Sequence, residues 1–275
     1  MIYEKNKVSV INNIQLEIFK NTISAINRLG LSYFLVHGSL LGAVRLSKFI
    51  PFDDDIDIAM PRKDYEIFLE KAQQLLPAHL FVQSYKSEKK YPLSFAKVRN
   101  INTTYLSYKF VKCGINQGIY IDIFPIDYAK QNNNVLKLLF LKIADFRIGS
   151  VIKERKGFRR RILCCLSFLV FPFFKMAISF REKAFKNNKK EELVSITGGK
   201  KCEQSIPASW FNSSLDIAFC DCTCCAPINY KEYLTHIYGD YLKTTLLENR
   251  FNDLNSIEMN ADIISVTTSY KDFLR

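Results

Sequence analysis

Apolar residues recur along this chain with two periods. Leu16, Phe19, Ile23 and Ile26 fall at helical spacing and Gly30 stands where a helix would end, so the chain is expected to open with an amphipathic helix. Tyr33 to Val36 is short and apolar, as a buried strand would be, and it runs into His37-Gly38-Ser39. Leu40 to Arg45 reads as helix. Gly38 and Ser39 then fall at a strand-to-helix junction, where free backbone N–H groups and the helix dipole favour an anion. From Asp55 onward carboxylates alternate with apolar side chains, which predicts a strand over residues 53–60. Pro61 opens a helix through Leu76, with Tyr65, Phe68, Leu69 and Ala72 on its apolar face and Pro77 as its stop. Further strands are predicted at 80–83, 93–98, 103–108 and 118–124.

Beyond residue 130 the period changes. From Val135 to about Lys190 the pattern is helical and basic, and 230–242 (YKEYLTHIYGDYL) reads as a short aromatic helix ending at Gly239. The expected architecture is α+β: a mixed sheet flanked by helices over residues 1–130, followed by a mostly helical part over 131–275.

Composition sharpens this picture in two places. With 275 residues, 48% of them hydrophobic, the chain can bury a real core and is neither fibrous nor disordered. Most of the formal charge of +12 is local: residues 153–201 hold fourteen Lys or Arg against four Glu. The same segment contains the longest apolar run, Ile162 to Phe174, with Arg159, Arg160 and Arg161 before it and Lys175, Arg181, Lys183 and Lys186 after it. That run is about half of the roughly 20 residues a membrane-spanning helix needs, and Pro172 interrupts it. It reads as an element lying in an anionic membrane surface with basic side chains at the headgroups; the competing reading is a core helix with a solvated basic flank. Nucleic acid is disfavoured, because no recognition helix, zinc finger or RNA-binding strand motif accompanies the charge.

The first fifteen residues lack the apolar region of a secretory signal, so a cytoplasmic protein, peripheral on the inner membrane face, is expected. In that compartment the eight cysteines read as thiols. Cys220, Cys222, Cys224 and Cys225 leave a zinc site open, although their spacing is not that of two knuckles separated by a loop.

The chemistry sits in the first half. Asp55 and Asp57, two apart on a strand, leave the same face and can share one or two divalent cations. Asp53 falls on that face as a further ligand or support, while Asp54 is expected to point away. Asp122, set between Ile121 and Ile123, is the natural third carboxylate, since its charge would need a partner in an apolar strand. Alone, it could equally cap a turn at Pro125. Gly38 and Ser39 would contact phosphate. Arg45, Lys97 and Arg99 are candidates for balancing phosphate charge, or ordinary surface or ion-paired cations. His37 is a candidate general base or, preferably, a support for the turn. A strand ending in Gly-Ser, a helix, a carboxylate pair and a later strand carboxylate together describe a nucleotidyltransferase core.

The stretch from His37 to Tyr65, HGSLLGAVRLSKFIPFDDDIDIAMPRKDY, resembles the LicD family, as do FAKVRNINTTY at 95–105, GIYIDIFPIDYAK at 118–130 and YKEYLTHIYGDYL near the C-terminus. The chain differs from the family pattern at Leu46, at Phe52 and at Lys243-Thr244-Thr245. The resemblance implies transfer of a phospho-alcohol, commonly phosphocholine from CDP-choline, onto a sugar of lipopolysaccharide, capsule or a teichoic-acid-type glycan, with release of CMP. It implies Mg2+ or Mn2+, as two ions. Asp55 and Asp57 would be metal ligands, with Asp122 sharing a metal and drawing off the acceptor proton. Its rivals are an enzyme that leaves a nucleoside monophosphate on its acceptor and a non-catalytic, membrane-bound metal-binding protein.

Overall fold

A computed structural model of the chain describes residues 2–51, 53–107, 110, 114–129, 193–196, 206–243 and 263–273. It opens with helix α1 (Ile2–Arg28). Ile11, Ile18, Phe19 and Ile26 of α1 are fully buried, and Gln15 and Thr22 lie buried in the same stripe. Leu16 and Ile23 flank it, partly buried. The helix ends as its sequence predicts, on Gly30 with φ 64°, a left-handed conformation glycine adopts without steric cost.

Strand β1 (Phe34–Leu35) follows, then α2 (His37–Leu46). The helix begins earlier than expected, so Gly38 and Ser39 lie inside its first turn. Strand β2 is Asp57–Pro61, shorter than the alternation predicts, because residues 53–56 form an irregular lead-in. Helix α3 (Arg62–Lys71) closes in a 3-10 turn at Ala72–Gln74 ahead of Pro77. Strands β3 (Leu80–Gln83), β4 (Ala96–Asn100), β5 (Thr104–Leu106) and β6 (Tyr120–Ala129) come next. After residue 130 the described elements are β7 (Leu193–Ile196), β8 (Ile206–Pro207), a hairpin of β9 (Ser214–Phe219) and β10 (Cys222–Pro227), α4 (Tyr230–Tyr238) and β11 (Ile263–Ser265). The predicted helical and basic stretch, with its apolar run at 162–174, lies outside the described residues. Among the described residues no helix is long and apolar enough to cross a membrane.

The class is α+β. The main sheet has the order β1-β2-β6-β4-β3, in which β2 and β6 run parallel and the other neighbours antiparallel. Strand β6 is its axis. Its first residues pair with β4, and its last, Ile126 to Ala129, pair with β7, which in turn carries β8. A turn does not form at Pro125. The backbone N–H of Asp122 donates toward β2, to the Ile56 carbonyl at 2.8 Å, so by alternation the nitrogen of residue 125 faces the opposite edge. There Pro125 falls in the gap between β4 and β7, where no ladder needs the missing donor.

Helices α1 and α3 pack on β6, and α2 packs on β2, α4 and the β9–β10 hairpin. The hairpin is fastened where Cys220, with φ 54° in the turn, donates its N–H to the Ser47 carbonyl at 2.7 Å. Phe219 is buried there against Phe19 and Phe49. Strand β11 pairs with β5, bringing a segment near the C-terminus onto residues 104–106.

Candidate active site

Four polar residues form one row across the sheet. The register sets Asp57 of β2 beside Asp122 of β6, Asp122 beside Lys97 of β4, and Lys97 beside Gln83 of β3. Directly paired residues share a face, so Asp122 stands between a carboxylate and an ammonium. Asp55, two residues ahead of Asp57 in the irregular lead-in, reaches the same place. One oxygen each from Asp55, Asp57 and Asp122 lies within 4.8 Å of the others, and the same holds for Asp53, Asp54 and Asp55.

Asp53, Asp57 and Asp122 are buried. Burial, and after it the neighbouring charges of Asp57, Asp53, Asp122 and Asp54, push the Asp55 carboxyl well above its usual range. Burial also raises the Asp122 carboxyl to about 6; Lys97 opposes that rise and Asp57 adds to it. Carboxylates crowded this way require positive charge between them. A set made of hard carboxylate oxygens suits Mg2+ or Mn2+ rather than a thiophilic metal, and the residues therefore fit the ions that the sequence implies.

The first turn of α2 abuts this cluster. Ser39 Oγ accepts the backbone N–H of Asp57 at 2.9 Å. A Cβ on Gly38 would lie 2.7 Å from Asp53 Oδ2, so glycine is what lets that carboxylate approach the helix start. His37, with φ 50°, places Nδ1 3.4 Å from Asp57 Oδ2 and turns its ring edge-on to Phe124, with centroids 5.3 Å apart. Its backbone N–H donates to the hydroxyl of Tyr233 at 3.4 Å. Tyr233 belongs to α4 and is fully buried, so the aromatic helix near the C-terminus braces the start of α2.

The basic candidates separate. Lys97 is buried and its ammonium is ion-paired with Asp122 Oδ1. Arg99, one pleat along β4, is buried as well; it hydrogen-bonds Gln83 Oε1 and donates to the Gly118 carbonyl at 2.5 Å. Arg45 lies in the last turn of α2, about 10 Å along the helix from Gly38 at 1.5 Å per residue, and donates to the Lys243 carbonyl at 3.0 Å. The structure thus brings Gly38, Ser39, Asp53, Asp55, Asp57, Asp122 and Lys97 together, sets Arg99 beside them and sends Arg45 elsewhere.

Three supports were not visible in the sequence pattern. The Gln15 amide of α1 donates to the carbonyls of Asp54, at 2.5 Å, and Tyr120, at 3.2 Å. The Tyr105 hydroxyl donates to Asp54 Oδ2, so Asp54 is tied down beside Asp53 and Asp55 instead of pointing away. Tyr233 is the third. Gln15 had a signal, a polar residue within an apolar helical stripe, and both tyrosines lie in segments that carry the family resemblance, but none of the three showed its partner. Asp127 lies on the opposite face of β6 from Asp122, where Arg62 grips it at 2.7 and 2.8 Å. Among the described residues, the hairpin cysteines do not converge with other ligands into a metal-holding group.

Comparison with known proteins agrees with this geometry. Residues 30–150 match the LicD/FKTN/FKRP nucleotidyltransferase domain. The chain is 27% identical over 225 residues to a lipopolysaccharide cholinephosphotransferase, LicD, of Haemophilus influenzae, a match covering 78% of this chain and 83% of that protein. It is 34% identical over 112 residues to an uncharacterized protein of Rickettsia prowazekii, covering 40% of this chain and 38% of the relative. A further match, to a protein of Rickettsia typhi, is 39% identical over 61 residues and covers 22% of this chain and 18% of the relative. The acidic row, the Gly-Ser helix start and the strands that hold them all fall inside residues 30–150, the part of the chain that matches the LicD/FKTN/FKRP nucleotidyltransferase domain.

Proposed function

We propose that this protein transfers a phospho-alcohol from a CDP-linked donor to a sugar hydroxyl of a surface glycan and releases CMP, with phosphocholine from CDP-choline as the first choice of donor. The observation that carries the reading is the convergence of Asp55, Asp57 and Asp122 beneath the first turn of α2. The relative from Haemophilus influenzae supports the choice of choline and of lipopolysaccharide as acceptor.

In this reading Asp55, Asp57 and Asp122 hold Mg2+ or Mn2+, with Asp53 as a further ligand. The cations, when bound, neutralise the diphosphate and stabilise the charge that develops on it. The first turn of α2 offers the donor phosphate its helix N-terminus at Gly38 and Ser39. The acceptor oxygen attacks the phosphorus that bears the alcohol, its proton passes to a carboxylate of the cluster, and the bond from that phosphorus to the bridging oxygen breaks as CMP leaves with the electron pair. Contact of the basic, apolar segment at 153–201 with an anionic membrane, where a lipid-linked acceptor would be concentrated, completes the reading.

The test is incubation of purified protein with Mg2+ or Mn2+ and a panel of CDP-choline, CDP-ethanolamine, CDP-glycerol and CDP-ribitol, reading CMP by mass spectrometry. Cation-dependent CMP release from one donor, abolished in Asp55→Ala, is expected. Recovery of the nucleoside monophosphate on the acceptor, or failure to bind any CDP donor, would overturn it.

A further inference from the structure

Lys97 stands out because its surroundings leave it a single ionic task. Its ammonium is ion-paired with Asp122 Oδ1, and the two side chains are only 7% and 9% exposed. The same ammonium lies over the Tyr120 ring, 3.4 Å from the centroid, with the Phe95 ring 5.3 Å away. A cation enclosed by two aromatic rings and a carboxylate is held in place. A buried ion pair whose partner is removed leaves an uncompensated charge, so Lys97 and Asp122 are placed together or not at all.

The order of strands gives this pair a direction. Strand β6 has β2 on one side and β4 on the other, so Asp122 is reached by Asp57 from one flank and by Lys97 from the other. Oδ1 is engaged by Lys97, while one oxygen of Asp122 lies within 4.8 Å of oxygens of Asp55 and Asp57, so the carboxylate is shared between the two flanks. Arg99, the other buried cation of β4, does not compete, because it is turned to Gln83 and the Gly118 carbonyl.

We infer that Lys97 is a positioning residue for the metal site: by holding Oδ1 of Asp122 it fixes that carboxylate as a one-oxygen ligand aimed at the cation shared with Asp55 and Asp57, and it does not bind the donor's phosphates. The inference rests on the proposed metal-dependent transferase, and its test reads cation binding separately from turnover.

Mn2+ binding to the purified full chain, without nucleotide, is followed by electron paramagnetic resonance for wild type and Lys97→Met, alongside the melting temperature of each. Metal affinity is expected to fall about tenfold or more in the variant, the usual consequence of losing a group that orients a ligand. At saturating cation the KM for the CDP donor should stay within about twofold of wild type, since K97M removes orientation of a ligand and no substrate contact. Should Lys97→Met not fold, Lys97→Leu, which fills the same aromatic surroundings and likewise offers Asp122 no donor, is read in the same way. Unchanged Mn2+ affinity, or a loss confined to donor KM at saturating cation, would overturn the inference in favour of a phosphate-binding lysine. A wild type that binds no Mn2+ would overturn it too. If wild type binds Mn2+, the variant binds it weakly and no CDP donor turns over, the inference stands and the choice of reaction falls.

Discussion

Ser39 Oγ accepts the backbone N–H of Asp57 at 2.9 Å, so the first turn of the helix that follows β1 is fastened to the first residue of the acidic strand. Substitution by alanine leaves that buried N–H without its acceptor, a loss of about 1–3 kcal/mol. Ser39→Ala should therefore melt a few degrees below wild type, in line with the scaling for chains of this size. It should also lose CMP release beyond the loss of folded protein, because Asp57 is no longer held.

Gly38 makes a different demand. A Cβ there meets Asp53 Oδ2 at 2.7 Å, closer than packed atoms approach, so Gly38→Ala should displace the carboxylate. The expected signature is weakened Mn2+ binding, read by titration, with a melting temperature in EDTA close to wild type. A large fall in melting temperature with intact Mn2+ binding would instead place the strain in the helix.

Crowding of the carboxylates sets a pH dependence for the metal-free protein. Burial and the adjacent aspartates raise Asp55 well above the usual carboxylate range. Above about pH 4 the unfolded chain has released this proton while the folded chain still holds it, so the unfolded state binds fewer protons and stability falls as pH rises. Asp122, raised to about 6 by its burial, adds in the same direction between about pH 4 and 6. In EDTA, Asp55→Asn should thus gain melting temperature relative to wild type as pH climbs from 4.5 to 7.5. Adding Mg2+ or Mn2+ should stabilise wild type and leave Asp55→Asn nearly unmoved.

On the other face of β6, Arg62 holds Asp127 through two parallel hydrogen bonds, with Asp127 fully buried. Asp127→Asn leaves the guanidinium only Glu66, at 3.0 Å, as its carboxylate partner and should cost about 1–3 kcal/mol, measured by urea unfolding. Mn2+ affinity of the folded fraction should be unchanged, which separates this aspartate from the one five residues before it.

Much of the site was legible before the fold. Same-face placement of Asp55 and Asp57 follows from their spacing, and the junction at Gly38 and Ser39 follows from an apolar strand running into a glycine and a serine. What could not be read was partnership. Lys97, Arg99 and Arg45 look alike as basic residues, yet one pairs with Asp122, one turns to Gln83 and Gly118, and one caps a distant carbonyl. Pro125 misled for a related reason: it breaks a strand only where a neighbour needs its N–H, and the gap between β4 and β7 removes that need.

The sequence by itself determined the local elements and which residues of each share a face, because helical and strand periods are properties of neighbours along the chain. It also carried the resemblance to the LicD family, through motifs long enough to be recognised in one dimension. Only the tertiary structure decided that Asp57, Asp122 and Lys97 form one row, that Asp54 is held by Tyr105, and that Tyr233 from the far end of the chain supports His37. Those relations depend on strand register and on packing between segments remote in sequence, where a shift of one residue would turn every carboxylate to the other face.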